Sequence, residues 1–272
     1  TSGYRCGLRL ALTKNPSVSY VPLSVQHYTS AWRGIAALWL ASLAGPASSE
    51  AIAAFENSAP GAPGAPWRVV GLPGQRVPAT RFELAAPPAG GGERALRIES
   101  RASYAMLVHE LPPAPPSAQA RLRWRWRVDE PVAGADLRTK AGDDTALRVC
   151  ALFDAPLEAL AFAERARLQL ARALSGQALP SATLCYVWDA GLAPDTVLAN
   201  VYSARVRYWV LGPARLGEWS AHERSLAADY RRAFADEARG PPPPLVGIGV
   251  GADSDNTGAR SLAWLAGLSF AP

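Results

Sequence analysis

The chain has few of the residues on which nucleophilic and metal-dependent enzymes rely. Its 272 residues include three His, three Cys and one Met, and its only Lys residues are Lys14 and Lys140. From residue 50 onward only His109 and His222 remain, which excludes a three-His metal site and leaves two candidate bases for a Ser-His-Asp triad. There is no GxSxG motif and no Walker loop, and HEL at His109 lacks the second His of a zinc-protease helix. The scarcity of Lys argues against Schiff-base chemistry.

Acidic residues are absent from the first 49 positions, which contain four basic residues. In this segment, AWRGIAALWLASLAGPASSEA places Arg33 before an apolar run over 34–44 and small residues before a cut near 47–51, the pattern of an export signal. The apolar run is short for a bilayer span. We therefore predict a cleaved signal peptide over 32–49 and a periplasmic or secreted protein with no stable membrane span after cleavage. A buried core helix or an anchor is the alternative.

Residues 1–31 are an unusual preface to a signal peptide, since the chain opens with Thr and its one Met is Met106. We interpret them as a non-native or mis-called N-terminal extension. Without the basic residues before position 50, 24 basic residues stand against 23 acidic ones, so the net charge is about +1 instead of +5. Because this balance is nearly neutral, we predict no nucleic-acid partner.

Cysteine usage leaves two interpretations open. Cys6 lies in the preface, whereas Cys150 and Cys185 fall in the strand-like runs RVCALF and TLCYVW. In an oxidising compartment the latter two could form a disulfide. We favour the alternative of two buried free thiols that pack as small apolar residues.

Short alternating segments dominate the remainder of the chain. In RLRWRWRVD, four apolar side chains alternate with four Arg, the pattern of a half-buried strand. Further strands are predicted over 145–153, 183–188, 205–211, 245–250 and 262–270. A helix is predicted between a cap at Asp154 and a stop at Gly176. A second helix, opened by a capping box of Ser220 and Glu223, is predicted to end near Asp236.

These elements favour a mainly β fold, a jelly-roll-type β-sandwich with one or two inserted helices. We predict a flexible lead-in over 50–66 and a single domain over 67–272. Alternation over 219–225 leaves open a strand that leads into a shorter second helix. The four Arg of RLRWRWRVD could bind a polyanion, but we favour a solvated outer face, because alternation by itself demands a polar side.

Two polar clusters accompany predicted strands. In AGDDTALR, Asp143 and Asp144 precede a strand and would repel each other, so at least one needs a cation, a network of donors or water. Arg148 is the expected internal partner through a bidentate ion pair. In CYVWDAG, Tyr186 and Trp188 share one face at a strand end. Their rings are either core residues or a platform on which a sugar could stack.

The third cluster is GADSDNTGA, which follows the apolar run LVGIGV. Counted from Asp253, oxygen-bearing side chains stand at positions one, three and five (Asp253, Asp255 and Thr257), as in the front half of an EF-hand calcium loop. The twelfth position is Trp264 instead of a bidentate Glu, so a calcium site would need carboxylates from elsewhere, and the AGDD segment could supply one. We favour a turn in which Asn256 and Gly258 take positive φ.

The order of strands could bring the clusters together. Asp143 and Asp144 precede a strand, whereas Trp188 and Asp253 follow strands. If these strands are antiparallel neighbours, all three loops lie at one end of the sheet, and we predict that they do.

Six segments resemble one family, the bacterial exported proteins of domain of unknown function 3047. They are WRWRVD, AGDDTALRVCALFD, LCYVWD, GEWSAHERSLAADYRRAF, GIGVGADSDNTG and AWLAGLSF, which run in family order between Phe55 and Phe270. Ala235 and Ser254 depart from the family pattern, which commonly has Gly and Thr at these positions. The resemblance implies no established activity. The alternating strands are also similar to carbohydrate-binding jelly rolls, and fold does not fix function.

Three hypotheses for function remain. The first is an exported, non-catalytic module that binds a glycan or other small polar ligand, with no cofactor apart from a candidate calcium ion at Asp253, Asp255 and Thr257. Its ligand-binding residues would be Asp143, Asp144, Arg148, Tyr186, Trp188, Asp253, Asp255 and Asn256. The second is a polysaccharide- or cell-wall-acting hydrolase in which Asp143 or Asp144 faces Asp253 or Asp255 across a cleft. The third is a structural envelope module in which every cluster is an internal brace.

Overall fold

The structure, a computed structural model, describes residues 52–55, 58–72, 74–90, 92, 94–175, 179–212, 215–236 and 240–271. The predicted extension and signal peptide, with Cys6, lie outside these residues. Neither α-helix of the described chain has the length and apolar character needed to cross a membrane.

The described residues form twelve strands and two α-helices. In chain order they are β1 (Arg68–Val70), β2 (Arg81–Ala85), β3 (Ala95–Arg101), β4 (Tyr104–Ala114), β5 (Arg121–Glu130), β6 (Arg148–Phe153), α1 (Phe162–Ser175), β7 (Ala182–Val187), β8 (Val197–Ala199), β9 (Val206–Val210), β10 (Ser220–Arg224), α2 (Leu226–Ala233), β11 (Leu245–Asp253) and β12 (Arg260–Ala271). Short 3₁₀ turns occupy Lys140–Gly142 and Leu157–Ala159. The predicted mainly β fold with inserted helices is confirmed.

The strands form two sheets that pack as a jelly-roll-type sandwich. One sheet has the order β1-β4-β11-β6-β7-β9-β8, and the other has the order β10-β5-β12-β3-β2. Neighbouring strands are antiparallel except for β7 and β9, which run parallel. The chain therefore passes between the sheets several times, and residues far apart in sequence meet at the strand ends.

In β5, apolar and Arg side chains alternate and lie on opposite faces of the sheet, as predicted. Trp124 and Trp126 are buried between the sheets, and the ring centroid of Trp124 lies 5.2 Å from that of Tyr186 on β7. On the other face, Arg123 pairs with Glu223 at 2.7 Å and Arg127 with Asp129 at 2.6 Å. This arrangement agrees with the solvated outer face that we favoured for the Arg stripe.

The predicted flexible lead-in packs against the sandwich instead. Ile52 and Phe55 are part of the hydrophobic core, and the indole Nε1 of Trp67 donates a 3.0 Å hydrogen bond to the carbonyl of Ala53. Gly61 forms a β-bridge with Leu84 on β2. The domain therefore begins before the boundary predicted at residue 67, because two apolar side chains amid Ala, Gly and Pro were enough to anchor the segment.

The predicted helix boundaries need correction. The first helix begins at Phe162, well after Asp154, whose carboxylate pairs with Arg172 instead of capping. The segment with Ser220 and Glu223 is strand β10, so the capping box is wrong and the alternative of a strand before a shorter helix is confirmed. Pairing of β10 with β5 supplies the backbone partners that outweigh the local capping signal.

Cys150 and Cys185 form a disulfide, which overturns the interpretation as free thiols. The two residues are direct partners in the antiparallel pairing of β6 and β7. Side chains directly opposite each other on antiparallel strands have Cβ atoms about 4.5–5.5 Å apart, within reach of a covalent link after a small adjustment. Their pairing depends on strand register, which the sequence alone does not reveal.

Candidate functional site

The predicted convergence of loops at one end of the sandwich is confirmed. Strand β6 lies between β11 and β7 and is antiparallel to both, with Arg148 opposite Gly251 and Val187. The loop before β6 therefore meets the loops after β11 and β7. We use the name polar end for residues 139–145 and 253–257 together with residues 200–203, a loop between β8 and β9 whose hydrogen bonds reach them.

A buried ion pair ties β6 to the last residue of β11. Arg148 Nη1 lies 2.6 Å from Asp253 Oδ2, and both side chains are almost fully buried. Asp253 Oδ1 also accepts hydrogen bonds from the backbone N–H of Thr145 at 2.7 Å and from its hydroxyl at 2.9 Å. Burial alone would lower the pKa of Arg148, but the charge of Asp253 raises it well above its ordinary value. The guanidinium therefore stays charged.

This pairing corrects the expected partnership of Arg148 with the AGDD carboxylates. Arg148 and Asp253 point to the outer face of the larger sheet, and Gly251 lies between them on β11. A Cβ atom at Gly251 would lie 3.2 Å from Arg148 Nε, closer than ordinary packing allows. The absence of a side chain at position 251 therefore gives the guanidinium the room to reach Asp253.

Asp144 holds the turn that follows β11. Its Oδ1 accepts hydrogen bonds from the backbone N–H and the side-chain amide of Asn256, at 3.2 and 3.1 Å, and its Oδ2 accepts one from the N–H of Thr257 at 2.7 Å. The favoured interpretation of GADSDNTGA as a turn agrees with this geometry, although the cap comes from a distant carboxylate. Gly258 takes the expected positive φ of 69°, whereas Asn256 does not.

Asp143 connects to a loop that the sequence analysis missed. Its Oδ2 accepts a 2.6 Å hydrogen bond from Asn200 Nδ2, which also donates to the Tyr208 hydroxyl at 2.9 Å. In the same loop, the hydroxyl of Tyr202 donates to Asn256 Oδ1 and to the carbonyl of Lys140, both at 3.1 Å. The signal that could have found this loop is an aromatic residue in the polar turn NVYSA between two strands.

Tyr202 is the exposed aromatic ring of the polar end. The residue is 58% exposed, and Lys140 Nζ lies 5.3 Å from the ring centroid. Slight burial, together with the charges of Asp143, Asp255 and Asp144, raises the pKa of its phenol. An accessible ring is thus fixed beside carboxylates.

A family model described as protein of unknown function (DUF3047) matches residues 65–269. This chain belongs to the DUF3047 family. Among curated proteins, none matches the chain in sequence.

Several solved structures are similar to the DUF3047 domain. The glycoside hydrolase domain of Endo-D from Streptococcus pneumoniae R6 aligns at 12% identity and a TM-score of 0.29, over 75% of this chain and 21% of that one, so this chain spans about a fifth of it. The K1 cleaved adhesin domain of Lys-gingipain from Porphyromonas gingivalis W83 aligns at 10% identity and a TM-score of 0.34, over 81% of this chain and 97% of that domain. The cellulose induced protein Cip1 aligns at 10% identity and a TM-score of 0.37, over 75% of this chain and 90% of that one. Likeness at this level carries no argument about function.

Two aromatic residues predicted to stack a ligand are buried in the DUF3047 domain. Tyr186 has no exposed surface, and its hydroxyl donates a 2.7 Å hydrogen bond to Asp229 Oδ2 in the core. Burial and the charge of Asp229 raise its pKa well above the ordinary value. Trp188 is 6% exposed and, with Asp144, lines a cavity of about 70 Å³. That volume is far below the ~300–1,000 Å³ of ligand pockets, so neither ring is a stacking platform.

The predicted calcium ligands fit calcium poorly. Asp144, Asp253 and Asp255 each offer an oxygen within 4.8 Å of the others, but the hydroxyl of Thr257 accepts a hydrogen bond from Ala259 N–H instead. Both oxygens of Asp144 and of Asp253 already accept hydrogen bonds, and the cation of Arg148 lies against Asp253. Calcium takes about six to eight oxygen ligands, and too few are free.

Two carboxylate oxygens of the polar end lack a partner among the described residues. They are Asp143 Oδ1 and Asp255 Oδ1, and both atoms are shielded from solvent. Burial and the charge of Asp253 raise the pKa of Asp143, although the hydrogen bond from Asn200 opposes the shift. Burial and the charges of Asp253 and Asp144 raise the pKa of Asp255. Buried polar atoms without hydrogen-bond partners are rare in folded proteins and point to a functional role for the group that carries them.

Proposed function

We propose that this DUF3047 protein is an exported, non-catalytic module that binds a glycan or other small polar ligand at the polar end. The observation that carries the proposal is the exposed Tyr202 ring, which its hydroxyl fixes to Asn256 and to the carbonyl of Lys140. Binding sites for sugars combine an aromatic face with a few fixed polar groups, and this end supplies both.

The polar side chains around Tyr202 are held in place before any ligand arrives. Asn256 is fixed by Asp144 and by the Tyr202 hydroxyl, and Asn200 is fixed by Asp143 and Tyr208. Groups that are already ordered lose little conformational freedom on binding. A rigid rim of this kind supports recognition of a small polar molecule.

The hydrogen bonds that engage Asp144 and Asp253 favour binding over hydrolysis by any pair that includes them. Glycosidases need two carboxyl groups on opposite sides of a sugar, about 5–5.5 Å apart for retention or about 6.5–9.5 Å for inversion. At the polar end, oxygens of Asp144, Asp253 and Asp255 lie within 4.8 Å of one another. Asp144 and Asp253 are also engaged by N–H donors, so they are poorly placed to act as a nucleophile or base.

Export is supported by the disulfide between Cys150 and Cys185. Structural disulfides persist in oxidising compartments such as the bacterial periplasm and are rare in the cytosol. The proposed compartment is therefore the periplasm or the cell exterior.

A glycan array probed with the domain from residue 52 onward, and with Tyr202→Ala, tests the proposal. We expect Tyr202→Ala to weaken binding about tenfold, equivalent to about 1.4 kcal/mol, because a stacked ring is lost. Phe162→Ala is the matched control, since Phe162 is an aromatic residue of α1 that is 79% exposed. A folded protein that binds no glycan would rule out the glycan ligand and would count towards the structural envelope module.

A further inference from the structure

Helix α1 presents an apolar face to solvent. Phe162 is 79% exposed and Leu170 is 59% exposed. With a turn of about 100° per residue, both lie on one face of the helix, which also carries three exposed alanines, Ala163, Ala166 and Ala173. We call these five residues the outer face of α1. An amphipathic helix on a soluble domain normally turns such a face towards the core, so the outer face of α1 does not serve the packing of this domain.

Ion pairs hold the opposite face of α1 against the sandwich. Leu168 is half-buried there, and Arg205 Nη1 lies 3.8 Å from Glu164 Oε1. In the last turn of the helix, Arg172 Nη2 lies 2.7 Å from Asp154 Oδ1. The helix is thus attached through its charged side, which leaves the apolar outer face available to another surface.

Positive charge borders the outer face on both sides. The guanidinium carbon of Arg165 lies 6.0 Å from the ring centroid of Phe162. Arg167 is exposed at the other border, three residues before Leu170 and therefore next to it on the helix surface. Neither Arg has a carboxylate within ion-pair distance in the part of the chain that the structure describes. Three Arg and one Glu give α1 a net charge of +2, and that Glu is the inward-facing Glu164.

An apolar face bordered by Arg matches the surface of an anionic membrane. Helices of this kind lie in the plane of the interface, with the apolar side chains in the acyl boundary and the cations at the lipid phosphates. The long stems of Arg lie along apolar surface while their guanidinium groups reach the headgroups. With 14 residues, α1 is shorter than the ~20 residues of a membrane span, so it would rest on the bilayer without crossing it.

A second copy of the chain is a poorer occupant of the outer face. Three of its five residues are Ala, so the face is small beside the ~800 Å² that each partner buries in a standard protein interface. A two-fold pairing of the outer faces would also bring the Arg residues of one helix close to those of the other, and like charges oppose association.

We propose that α1 docks on an anionic membrane surface, with Phe162 and Leu170 inserted below the headgroups and with Arg165 and Arg167 at the lipid phosphates. This inference goes beyond ligand binding at the polar end and does not depend on it. The two surfaces belong to different segments of the chain, so each can be removed without the other.

The test measures co-sedimentation of the domain from residue 52 onward, which omits the predicted signal peptide, with vesicles of phosphatidylglycerol and with vesicles of phosphatidylcholine. We expect at least about tenfold tighter binding to phosphatidylglycerol, because the Arg residues are attracted to anionic lipid. Phe162→Gln combined with Leu170→Gln should weaken that binding at least about tenfold, since two large apolar side chains no longer leave water. Gln keeps a good helix propensity. Leu216→Gln is the matched control, since Leu216 is 52% exposed and lies outside α1.

A second variant isolates the contribution of charge. Arg165→Gln combined with Arg167→Gln should bring binding to phosphatidylglycerol down to the level measured with phosphatidylcholine, because the apolar outer face is unchanged. All these side chains are outside the core, so the melting temperatures should equal that of the parent, and an equal melting temperature shows that lost binding is not lost folding.

The other outcomes count against the inference. Equal binding of the parent and the Phe162→Gln, Leu170→Gln variant to phosphatidylglycerol would overturn it, as would equal binding of the parent to both kinds of vesicle. A dimer in analytical ultracentrifugation that this variant abolishes, without vesicle binding by the parent, would assign the outer face to a second copy. Glycan binding without vesicle binding would reject the membrane inference alone, whereas vesicle binding with a silent glycan array would reject the glycan ligand alone.

Discussion

The four carboxylates of the polar end form two pairs that differ in how their oxygens are used. Asp144 and Asp253 have both oxygens engaged, by backbone N–H groups, a hydroxyl and a guanidinium. Asp143 and Asp255 each keep a shielded oxygen without a partner among the described residues. The first pair holds strands and a turn together, whereas the second pair does not satisfy its own hydrogen-bonding capacity. Polar groups with unused hydrogen-bonding capacity are expected where a protein binds a ligand.

The largest expected effect comes from the engaged pair. Asp253→Asn leaves Arg148 buried without a counter-charge, and we expect the free energy of unfolding to fall by about 3–5 kcal/mol. Urea unfolding followed by fluorescence measures the change. Glu110→Gln, which removes an exposed ion pair, should cost less than about 1 kcal/mol. If Asp253→Asn lowered the free energy of unfolding as little as Glu110→Gln, the buried ion pair would not stabilise the fold more than an exposed one.

A smaller loss is expected at Asp144. In Asp144→Asn, one carboxylate oxygen becomes an NH₂ group that faces N–H donors, so we expect a loss of about 1–3 kcal/mol. Hydrogen exchange should show faster opening of the N–H groups of Asn256 and Thr257, with little change on β5. Unchanged exchange in this turn would show that Asp144 is not its cap.

The smallest effect on stability is expected at Asp255, where the substitution should stabilise the fold instead of destabilising it. Its pKa is raised above the ordinary value of 3.8 because of burial and the charges of Asp253 and Asp144. The folded state therefore binds the proton more tightly than the unfolded state does, and the stability that this proton gives is lost as the pH rises through the folded pKa. At neutral pH, Asp255→Asn should thus be more stable than the parent by about 0.5 kcal/mol or less.

Thermal unfolding from pH 7 down to pH 3 measures this difference. We expect the advantage of the Asn variant to shrink as the pH falls through the raised pKa and to vanish below 3.8. A variant that is less stable than the parent at neutral pH would show that Asp255 is a structural brace like Asp144.

The sequence predicted the strands and loops that form the site better than it predicted the contacts between their side chains. Alternation in β5 and the positions of Asp143 and Asp253 at strand ends were sufficient to predict the sandwich and the convergence of loops. The partner of Arg148 could not be predicted, because it depends on which strand lies next to β6 and on the missing side chain of Gly251. Tyr202 was missed for a similar reason, since its loop reaches the polar end through hydrogen bonds of Asn200 and Tyr202 that the sequence does not reveal.

The disulfide lies on the two strands that carry the AGDD loop and the Trp188 loop. A covalent link between β6 and β7 prevents these strands from sliding past each other, and a slip of one residue would take Val187 out of its pairing with Arg148. In a reducing compartment the register would rest on non-covalent contacts alone. Oxidation of this one thiol pair therefore fixes the register of β6 and β7, so that the end of the sandwich built on these strands reaches full stability only in an oxidising compartment.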